Sequence, residues 1–261
     1  MKRFISTIIL IQLTFLHADN YSLSFDGVDD DVQFGNGLSI DNNELTIMAW
    51  INFSEGGTNY PRVISNGESG YELITTGTEN TRRILFHFNA PSGASGWVDG
   101  QLEIIENTWY HVAAVYDGEE AMIYIDGLLD VINESPSSLG NTSSAPIFGQ
   151  RGDGCCRYKG LLDDVKIWNI ALTQDEIQSN MSSELNGNET GLVGYWNFNE
   201  GSGTTLTDQT SNDNNGTITG ASWTGNGAPV TEAITATNTH SLSFDGSDDY
   251  VSVNGTVIDN V

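Results

Sequence analysis

Short apolar runs alternate with Gly-, Asn-, Asp- and Ser-rich segments along most of the chain, and proline is scarce, with 5 among 261 residues. Runs rich in β-branched and aromatic residues, bounded by such turn-forming segments, are typical of β-strands. The pattern therefore predicts an all-β fold. The clearest strands are predicted at residues 45–53, 84–88, 110–116, 121–125, 160–168 and 192–198.

Two dipeptides predict hairpin turns. Asp117-Gly118 and Asp126-Gly127 each separate two of the predicted strands, and Asp and Gly tolerate the positive φ that two-residue turns require. Residues 109–132 are therefore predicted to form a three-stranded meander.

One helix is predicted, from Thr173 to about Leu185. Thr173 and Glu176 have the spacing of a capping box, and Ile177, Met181 and Leu185 share one helical face. We expect this apolar stripe to cover an open end of the β-fold.

An internal repeat indicates how the chain is organised. Ser-Leu-Ser-Phe-Asp-Gly-Val-Asp-Asp-Asp-Val at 22–32 returns as Ser-Leu-Ser-Phe-Asp-Gly-Ser-Asp-Asp-Tyr-Val at 241–251. The residues around the second copy are too few to form a fold of their own. We therefore expect one domain at 19–223, a Gly-, Thr- and Ala-rich linker at 224–239, and the truncated start of a second repeat at 240–261, with further tandem domains in a longer protein.

The first 18 residues have the features of a secretory signal peptide. Lys2 and Arg3 precede an apolar run at 5–16, and Ala18 is a small residue at the expected cleavage point. The apolar run is too short to span a membrane. We therefore expect a secreted protein, located outside the cell or at its surface.

The charge of the chain excludes one class of partner. The formal net charge is -26 at pH 7, and a chain this acidic repels the phosphates of nucleic acid. Most of the carboxylates are expected to form a solvated surface, because one calcium ion takes only a few oxygen ligands.

The chain has only two cysteines, and they are adjacent, at Cys155 and Cys156. This spacing does not provide a disulfide framework, so the fold must be held by its core. Either the two residues are partly buried thiols in a loop, or they form a bridge between neighbours.

Six segments, taken in order, resemble the LamG-like jellyroll modules of the concanavalin A-like lectin and glucanase superfamily. The resemblance implies a two-sheet antiparallel jellyroll sandwich with one short helix. The segments are Ser-Leu-Ser-Phe-Asp-Gly (22–27), Leu-Thr-Ile-Met-Ala-Trp-Ile (45–51), Trp-Tyr-His-Val-Ala-Ala-Val-Tyr-Asp-Gly (109–118), Ile-Tyr-Ile-Asp-Gly (123–127), Gly-Leu-Leu-Asp-Asp-Val-Lys-Ile-Trp (160–168) and Tyr-Trp-Asn-Phe-Asn-Glu-Gly-Ser-Gly (195–203).

The last of these segments commonly precedes the Phe-Asp-Gly strand in modules that look like this one. Residues 192–223 therefore either close the first sandwich or open the truncated second one. The first alternative is favoured, because the second would leave an unpaired sheet edge.

Calcium is the first candidate ligand, since the resemblance implies structural calcium at such a sheet edge. Asp26, Asp29 and Asp30 follow the opening strand, and Asp163 and Asp164 lie in a later one. Carboxylate and loop carbonyl oxygens are the ligands calcium requires. The alternative is that these residues form turns and cap loop amides.

A carbohydrate face is the second candidate, since lectin-type sandwiches present aromatic rings to sugars. Tyr60, Trp97 and Tyr158 lie in Gly-rich loops and are the candidate ligand-binding residues. The tryptophans at 50, 109, 168 and 196 lie in strand patterns and are expected in the core.

Catalysis is not expected. Related glucanases use two glutamates on one strand face with an aspartate between them, and no Glu-x-Asp-x-Glu run exists here. Glu103 and Glu106 have the wrong spacing, and the histidines have no nearby nucleophile.

The sequence therefore predicts a secreted, non-catalytic binding or adhesion module that recognises a carbohydrate or a surface protein, with calcium as its candidate cofactor. The alternatives are a structural spacer in a multi-domain surface protein and an accessory domain of a glycoside hydrolase.

Overall fold

The computed structural model describes residues 20–35, 37–38, 40, 43–56, 58–67, 70–76, 81–89, 95–134, 139 and 144–230. The expected signal peptide, the second Phe-Asp-Gly segment and most of the expected linker lie outside the described residues.

The regular elements of the described residues are strands, with one short helix. The strands are β1 (Ser22–Asp26), β2 (Asp31–Phe34), β3 (Leu45–Phe53), β4 (Arg62–Ser65), β5 (Tyr71–Thr76), β6 (Thr81–Asn89), β7 (Ser95–Asp99), β8 (Ile104–Ile105), β9 (Tyr110–Tyr116), β10 (Glu120–Ile125), β11 (Leu128–Glu134), β12 (Ile147–Phe148), β13 (Lys159–Trp168), β14 (Leu192–Trp196), β15 (Thr205–Leu206), β16 (Gly216–Thr219) and β17 (Ser222–Thr224), and the helix is α1 (Gln174–Asn180).

The named strands pair in two antiparallel sheets. The first sheet has the order β11-β10-β9-β3-β13-β1-β17, with β14 also paired to β13. The second sheet has the order β15-β16-β2-β12-β4-β5-β6-β7, with β8 also paired to β6. The all-β, two-sheet jellyroll sandwich expected from the sequence is confirmed.

The main core lies between the two sheets and is built by strand alternation. On β9, Val112 and Ala114 belong to this core, whereas Ala113 and Val115 belong to a second apolar cluster. Because successive side chains of a strand point to opposite faces, this second cluster lies on the outer face of the first sheet.

The helix begins where the capping box predicts it, but it is shorter than expected and packs against a different surface of the fold. Thr173 is its N-cap, and the reciprocal bonds with Glu176 are both present. The helix ends at Asn180, and its buried Ile177 packs into the outer cluster of the first sheet. The expectation that it covers an open end of the sandwich is therefore wrong, because the outer face of the first sheet is itself apolar.

Only one of the two predicted hairpins is a two-residue turn. Asp126 and Gly127 join β10 to β11 with φ of 49° and 73°, as such a turn requires. Between β9 and β10 the loop has three residues, because the Asp117 carboxylate accepts the amides of Glu119 and Glu120 at 2.9 and 2.7 Å.

Residues 192–224 contribute strands to both sheets. β14 pairs with β13, β16 pairs with β2, and β17 pairs with β1. The segment thus supplies hydrogen-bonded neighbours to β1 and β2, the strands formed by the first Phe-Asp-Gly repeat. Among the described residues, no helix is long and apolar enough to cross a membrane.

Candidate functional site

The outer face of the second sheet carries a row of polar and aromatic side chains. The strand register places Glu72 of β5 opposite His87 of β6, and His87 opposite Trp97 of β7. On β6, Phe86 and Phe88 point into the core, so His87 between them points outward.

Glu72 is the centre of this row and is only 1% exposed. Arg62 donates to it twice, from Nε to Oε1 at 3.2 Å and from Nη2 to Oε2 at 3.0 Å. Ser65 Oγ donates to Oε1 at 2.8 Å, and His87 Nδ1 lies 3.3 Å from Oε2. Burial alone would raise the pKa of Glu72, but the hydrogen bonds from His87, Arg62 and Ser65 and the charge of Arg62 lower that pKa to about 2.

Each end of this buried arrangement leads to an exposed aromatic residue, through a backbone carbonyl at one end and through an aromatic ring at the other. Arg62 Nη1 donates to the carbonyl of Tyr60 at 2.7 Å, and Tyr60 is 51% exposed. At the other end, the Trp97 and His87 rings stack with centroids 4.1 Å apart, and Trp97 is 45% exposed. We call Tyr60, Arg62, Glu72, His87 and Trp97 the Glu72 network.

Arg62, Glu72 and His87 are the residues that sequence reasoning missed. The signal was present in the sequence, because Glu72 interrupts an apolar strand and His87 lies between two phenylalanines. What the sequence does not show is that the register brings them together.

The Glu72 carboxylate is poorly suited to proton transfer. Both of its oxygens accept hydrogen bonds, and with a pKa of about 2 it is ionised near neutral pH. A general acid or base works best when its pKa is close to the working pH. The network is therefore better suited to holding neighbouring groups in place than to chemistry.

Tyr158, the third predicted ligand-binding aromatic, is not on this surface. It is 1% exposed, its ring packs 6.0 Å from that of Phe25, and its hydroxyl donates to the Leu161 carbonyl at 3.0 Å. The expectation that Tyr158 is exposed is wrong, because the residue begins the inward-facing alternation that continues into β13.

A group of three aspartates lies at the end of β1. Carboxylate oxygens of Asp26, Asp29 and Asp30 lie within 4.8 Å of one another. Two of these residues also form the turn, since Asp26 accepts the Val28 amide and Asp30 accepts the Asp26 amide, each at 2.7 Å. Burial, opposed by the Asp26 amide and reinforced by neighbouring carboxylates, raises the pKa of Asp30. Two of the three aspartates therefore stabilise the turn, and all three place their carboxylates close together.

Asp163 and Asp164 do not join this group. β1 pairs with β13 from Asp26 opposite Lys159 to Leu23 opposite Leu162, which puts Asp163 at the far end of β1. Asp163 Oδ2 accepts the Ala228 amide at 2.7 Å, and Asp164 forms an ion pair with Lys166. Burial raises the pKa of both carboxyls. A metal site that combines all five aspartates is therefore wrong for this structure.

Cys155 and Cys156 form a disulfide, which is one of the two alternatives left open by the sequence. The Cys156 carbonyl accepts the Arg62 amide at 2.7 Å, and residues 62 and 157 form an isolated parallel bridge. The disulfide loop is thereby attached to the start of β4, next to Tyr60.

Comparisons with known structures agree with this fold. A putative carbohydrate binding protein from Bacteroides ovatus superposes with a TM-score of 0.65 at 18% identity, over 81% of this chain and 61% of that protein. A pentraxin from Limulus polyphemus, described as SAP-like and heptameric, superposes with a TM-score of 0.52 at 19% identity, over 63% of this chain and 83% of that one.

Sequence comparison adds one relative and the family. Mouse pappalysin-1 is 22% identical over 182 residues, which span 62% of this chain and 11% of that protein. The family model of laminin G type, described as the concanavalin A-like lectin/glucanases superfamily, matches residues 26–178, more than half of the chain. The chain therefore belongs to the concanavalin A-like lectin/glucanase superfamily.

Proposed function

We propose that this chain is a secreted, non-catalytic module that binds carbohydrate on the outer face of the second sheet. The observation that carries the proposal is the exposed ring of Trp97, which packs on His87 at one end of a buried hydrogen-bonded network, with the exposed residue Tyr60 bound through its backbone carbonyl at the other end. The family, and a structural neighbour described as a putative carbohydrate binding protein, support it.

The physical reason is preorganisation. A sugar ring presents C–H groups that pack on an aromatic face, and a ring already held in place loses little conformational entropy on binding. Trp97 rests on His87, and His87 is fixed by the buried Glu72 carboxylate. The platform is therefore held in its binding orientation before the ligand arrives.

The same proposal assigns the chain to the outside of the cell, as a domain at 19–223 followed by a linker and further repeats. Its expected signal peptide, its acidity and its membership of the superfamily support this assignment.

The test is binding of the full chain to a glycan array, followed by calorimetry on the strongest glycan with Trp97→Ala. We expect this change to weaken binding at least about tenfold, because a buried aromatic contact contributes on the order of 1–2 kcal/mol or more. Leu128→Ala is the matched control, since Leu128 is 62% exposed and lies on the first sheet. Unchanged affinity in Trp97→Ala, or no glycan bound at all, would overturn the proposal.

We further propose that the three clustered aspartates hold calcium. Asp29 is exposed, and its carboxylate has no hydrogen-bond partner among the residues that the structure describes. Asp26 and Asp30 each keep oxygens beyond those that accept the turn amides. Three hard oxygen ligands within a short turn form part of a calcium coordination shell, with loop carbonyls and water supplying the rest.

Thermal melting with calcium and with chelator tests this site. A ligand that binds only the folded state at one hundred times its Kd stabilises it by about 2.7 kcal/mol. We expect the shift to vanish in Asp29→Asn and to persist in Asp213→Asn, an exposed aspartate elsewhere. Identical melting of the unmodified chain in calcium and in chelator would remove calcium from the proposal.

A further inference from the structure

The few positive charges of this acidic chain are concentrated in one place. Of its nine lysines and arginines, five lie along residues 54–62 and the segments packed against them. These five are Arg62, Arg82, Arg151, Arg157 and Lys159.

Three of the five are already engaged. Arg62 is paired with Glu72, and Arg151 with Asp153. Arg82 is buried, with its guanidinium 5.5 Å from the Phe53 ring centroid and its Nη2 donating to the Gly56 carbonyl at 2.9 Å. These three cations are therefore not available to a ligand.

Arg157 and Lys159 are the two cations of this group that remain available to a ligand. Among the described residues, neither has a carboxylate within ion-pair distance, although Asp26 is the cross-strand partner of Lys159. The Asp26 carboxylate instead accepts the Val28 amide. Both cationic residues are partly exposed.

The two cationic residues lie beside the same loop. Tyr158 lies between them and points inward against Phe25, so Lys159, which begins β13, points outward. Residue 157 forms an isolated bridge with residue 62, which places Arg157 beside the start of β4. The loop before β4 runs along them, since Ser54 N donates to the Lys159 carbonyl at 2.9 Å and Thr58 Oγ1 to that of Arg157 at 3.5 Å.

The same loop carries the exposed ring of Tyr60. Arg62, two residues later, donates its amide to the Cys156 carbonyl, which fixes the loop against the disulfide. An exposed aromatic face and two unpaired cations thus lie on one fixed rim. We call Tyr60, Arg157, Lys159 and the Cys155–Cys156 disulfide the cationic rim.

We propose that the cationic rim binds the carboxylate of an acidic sugar, so that the ligand is a saccharide containing uronic acid. This inference rests on the proposed function and names its ligand class. The guanidinium of Arg157 provides a planar fork that matches a carboxylate, Lys159 adds a second charge, and Tyr60 packs against the sugar ring. Asp26 lies opposite Lys159, and its carboxylate accepts the Val28 amide; the more distant carboxylates of the chain are screened, because the Debye length at physiological ionic strength is about 8 Å.

The probes are trigalacturonic acid and its fully methyl-esterified form, which has the same sugar skeleton and no charge. Calorimetry on the full chain is expected to show tighter binding of the acid than of the ester. Arg157→Gln and Lys159→Gln are each expected to weaken binding of the acid about tenfold and to leave the ester unchanged, as loss of a charged hydrogen bond does. The affinity for the acid should also fall with added salt.

Arg83→Gln is the matched control, because Arg83 is an exposed arginine outside the rim. Measurements in calcium and in chelator separate the rim from the aspartate cluster, and the effect of Arg157→Gln is expected in both. Equal affinity for acid and ester, failure to bind the acid, or insensitivity to both rim changes would overturn the inference. Trp97-dependent binding of a neutral glycan in the same preparation would leave the proposed function standing.

Discussion

Among the described residues, each outer face of the sandwich contains a buried ion pair between a carboxylate and a lysine or arginine, and the two pairs differ in what they support. On the second sheet Arg62 meets Glu72, with side chains 8% and 1% exposed. On the first sheet Lys166 meets Asp164, with side chains 0% and 2% exposed. Both pairs lie on strands whose opposite face forms the core.

The N–H groups of the two cations that do not bind the carboxylate donate to different parts of the fold. Lys166 Nζ also donates to the carbonyls of Asn180 and Ser183, at 2.7 and 3.2 Å, and so holds the end of α1. Arg62 Nη1 donates to the carbonyl of Tyr60, an exposed aromatic residue. One pair fixes a covering helix, whereas the other fixes a surface that stays open.

The two carboxyls also shift in opposite directions. Burial raises the pKa of both, but Glu72 accepts from Arg62, Ser65 and His87 and ends with a pKa of about 2. Asp164 meets a single ammonium, and its pKa stays above the ordinary value. The balance between burial and the hydrogen bonds and positive charges that oppose it decides whether the pKa of a buried carboxyl rises or falls.

The largest expected effect is that of Lys166→Ala. This change leaves Asp164 buried without its cation and frees two carbonyls, so the free energy of unfolding should fall by about 3–5 kcal/mol in urea denaturation. Lys159→Ala, which removes a partly exposed lysine of the same strand, should change it by less than about 1 kcal/mol. A loss below about 1 kcal/mol in Lys166→Ala would contradict the helix-holding role.

The next effect is a loss of stability in acid that depends on Glu72. The pKa of Glu72 is about 2 in the folded state, below the ordinary value of 4.5. Above about pH 4.5 this depressed pKa contributes on the order of 3 kcal/mol to the free energy of unfolding. The contribution is lost as the pH falls toward 2.

The raised pKa values of Asp163 and Asp164 change the free energy of unfolding with pH in the opposite direction. The contribution of Glu72 is therefore obtained as the difference between the unmodified chain and a variant. Unfolding of the unmodified chain and of Glu72→Gln, measured between pH 6 and pH 2, provides that difference. We expect the variant to be less stable at pH 6 and to converge on the unmodified chain in acid. Glu119→Gln, at an exposed site, should run parallel to the unmodified chain. A constant difference at every pH would contradict the assignment.

The smallest expected effect is at the start of the helix that Lys166 holds. Thr173→Ala removes the N-cap hydroxyl and should cost about 1 kcal/mol of stability. Thr173→Ser keeps the hydroxyl and should cost much less. If both variants lose the same amount in thermal unfolding, the capping bond is not the cause.

Strand positions were predictable where alternation or apolar runs are long. β3 and β9 lie at the predicted residues, and the predicted 84–88 and 121–125 are contained in β6 and β10. The predicted strand at 192–198 ends early, at Trp196, because Phe198 takes a φ of 55° that a strand does not allow.

The candidate site was predictable only in part. Tyr60 and Trp97 are exposed as expected. The expectation that Trp97 lies in a loop is wrong, because it belongs to β7, at the edge of the second sheet, where one face of the strand stays open. Tyr158 looked equivalent in sequence but is buried against Phe25, and nothing local separates the two cases.

The amino-acid sequence determined the fold class, the positions of several of the longest strands and the capped start of the helix, because these follow from patterns of residues close in sequence. Only the tertiary structure decided that Glu72 meets Arg62 and His87, since that contact depends on the register of three strands. The tertiary structure also decided that, among the described residues, Arg157 and Lys159 form no ion pair beside the loop that carries Tyr60, since Asp26, which the pairing of β1 with β13 places opposite Lys159, accepts the Val28 amide instead.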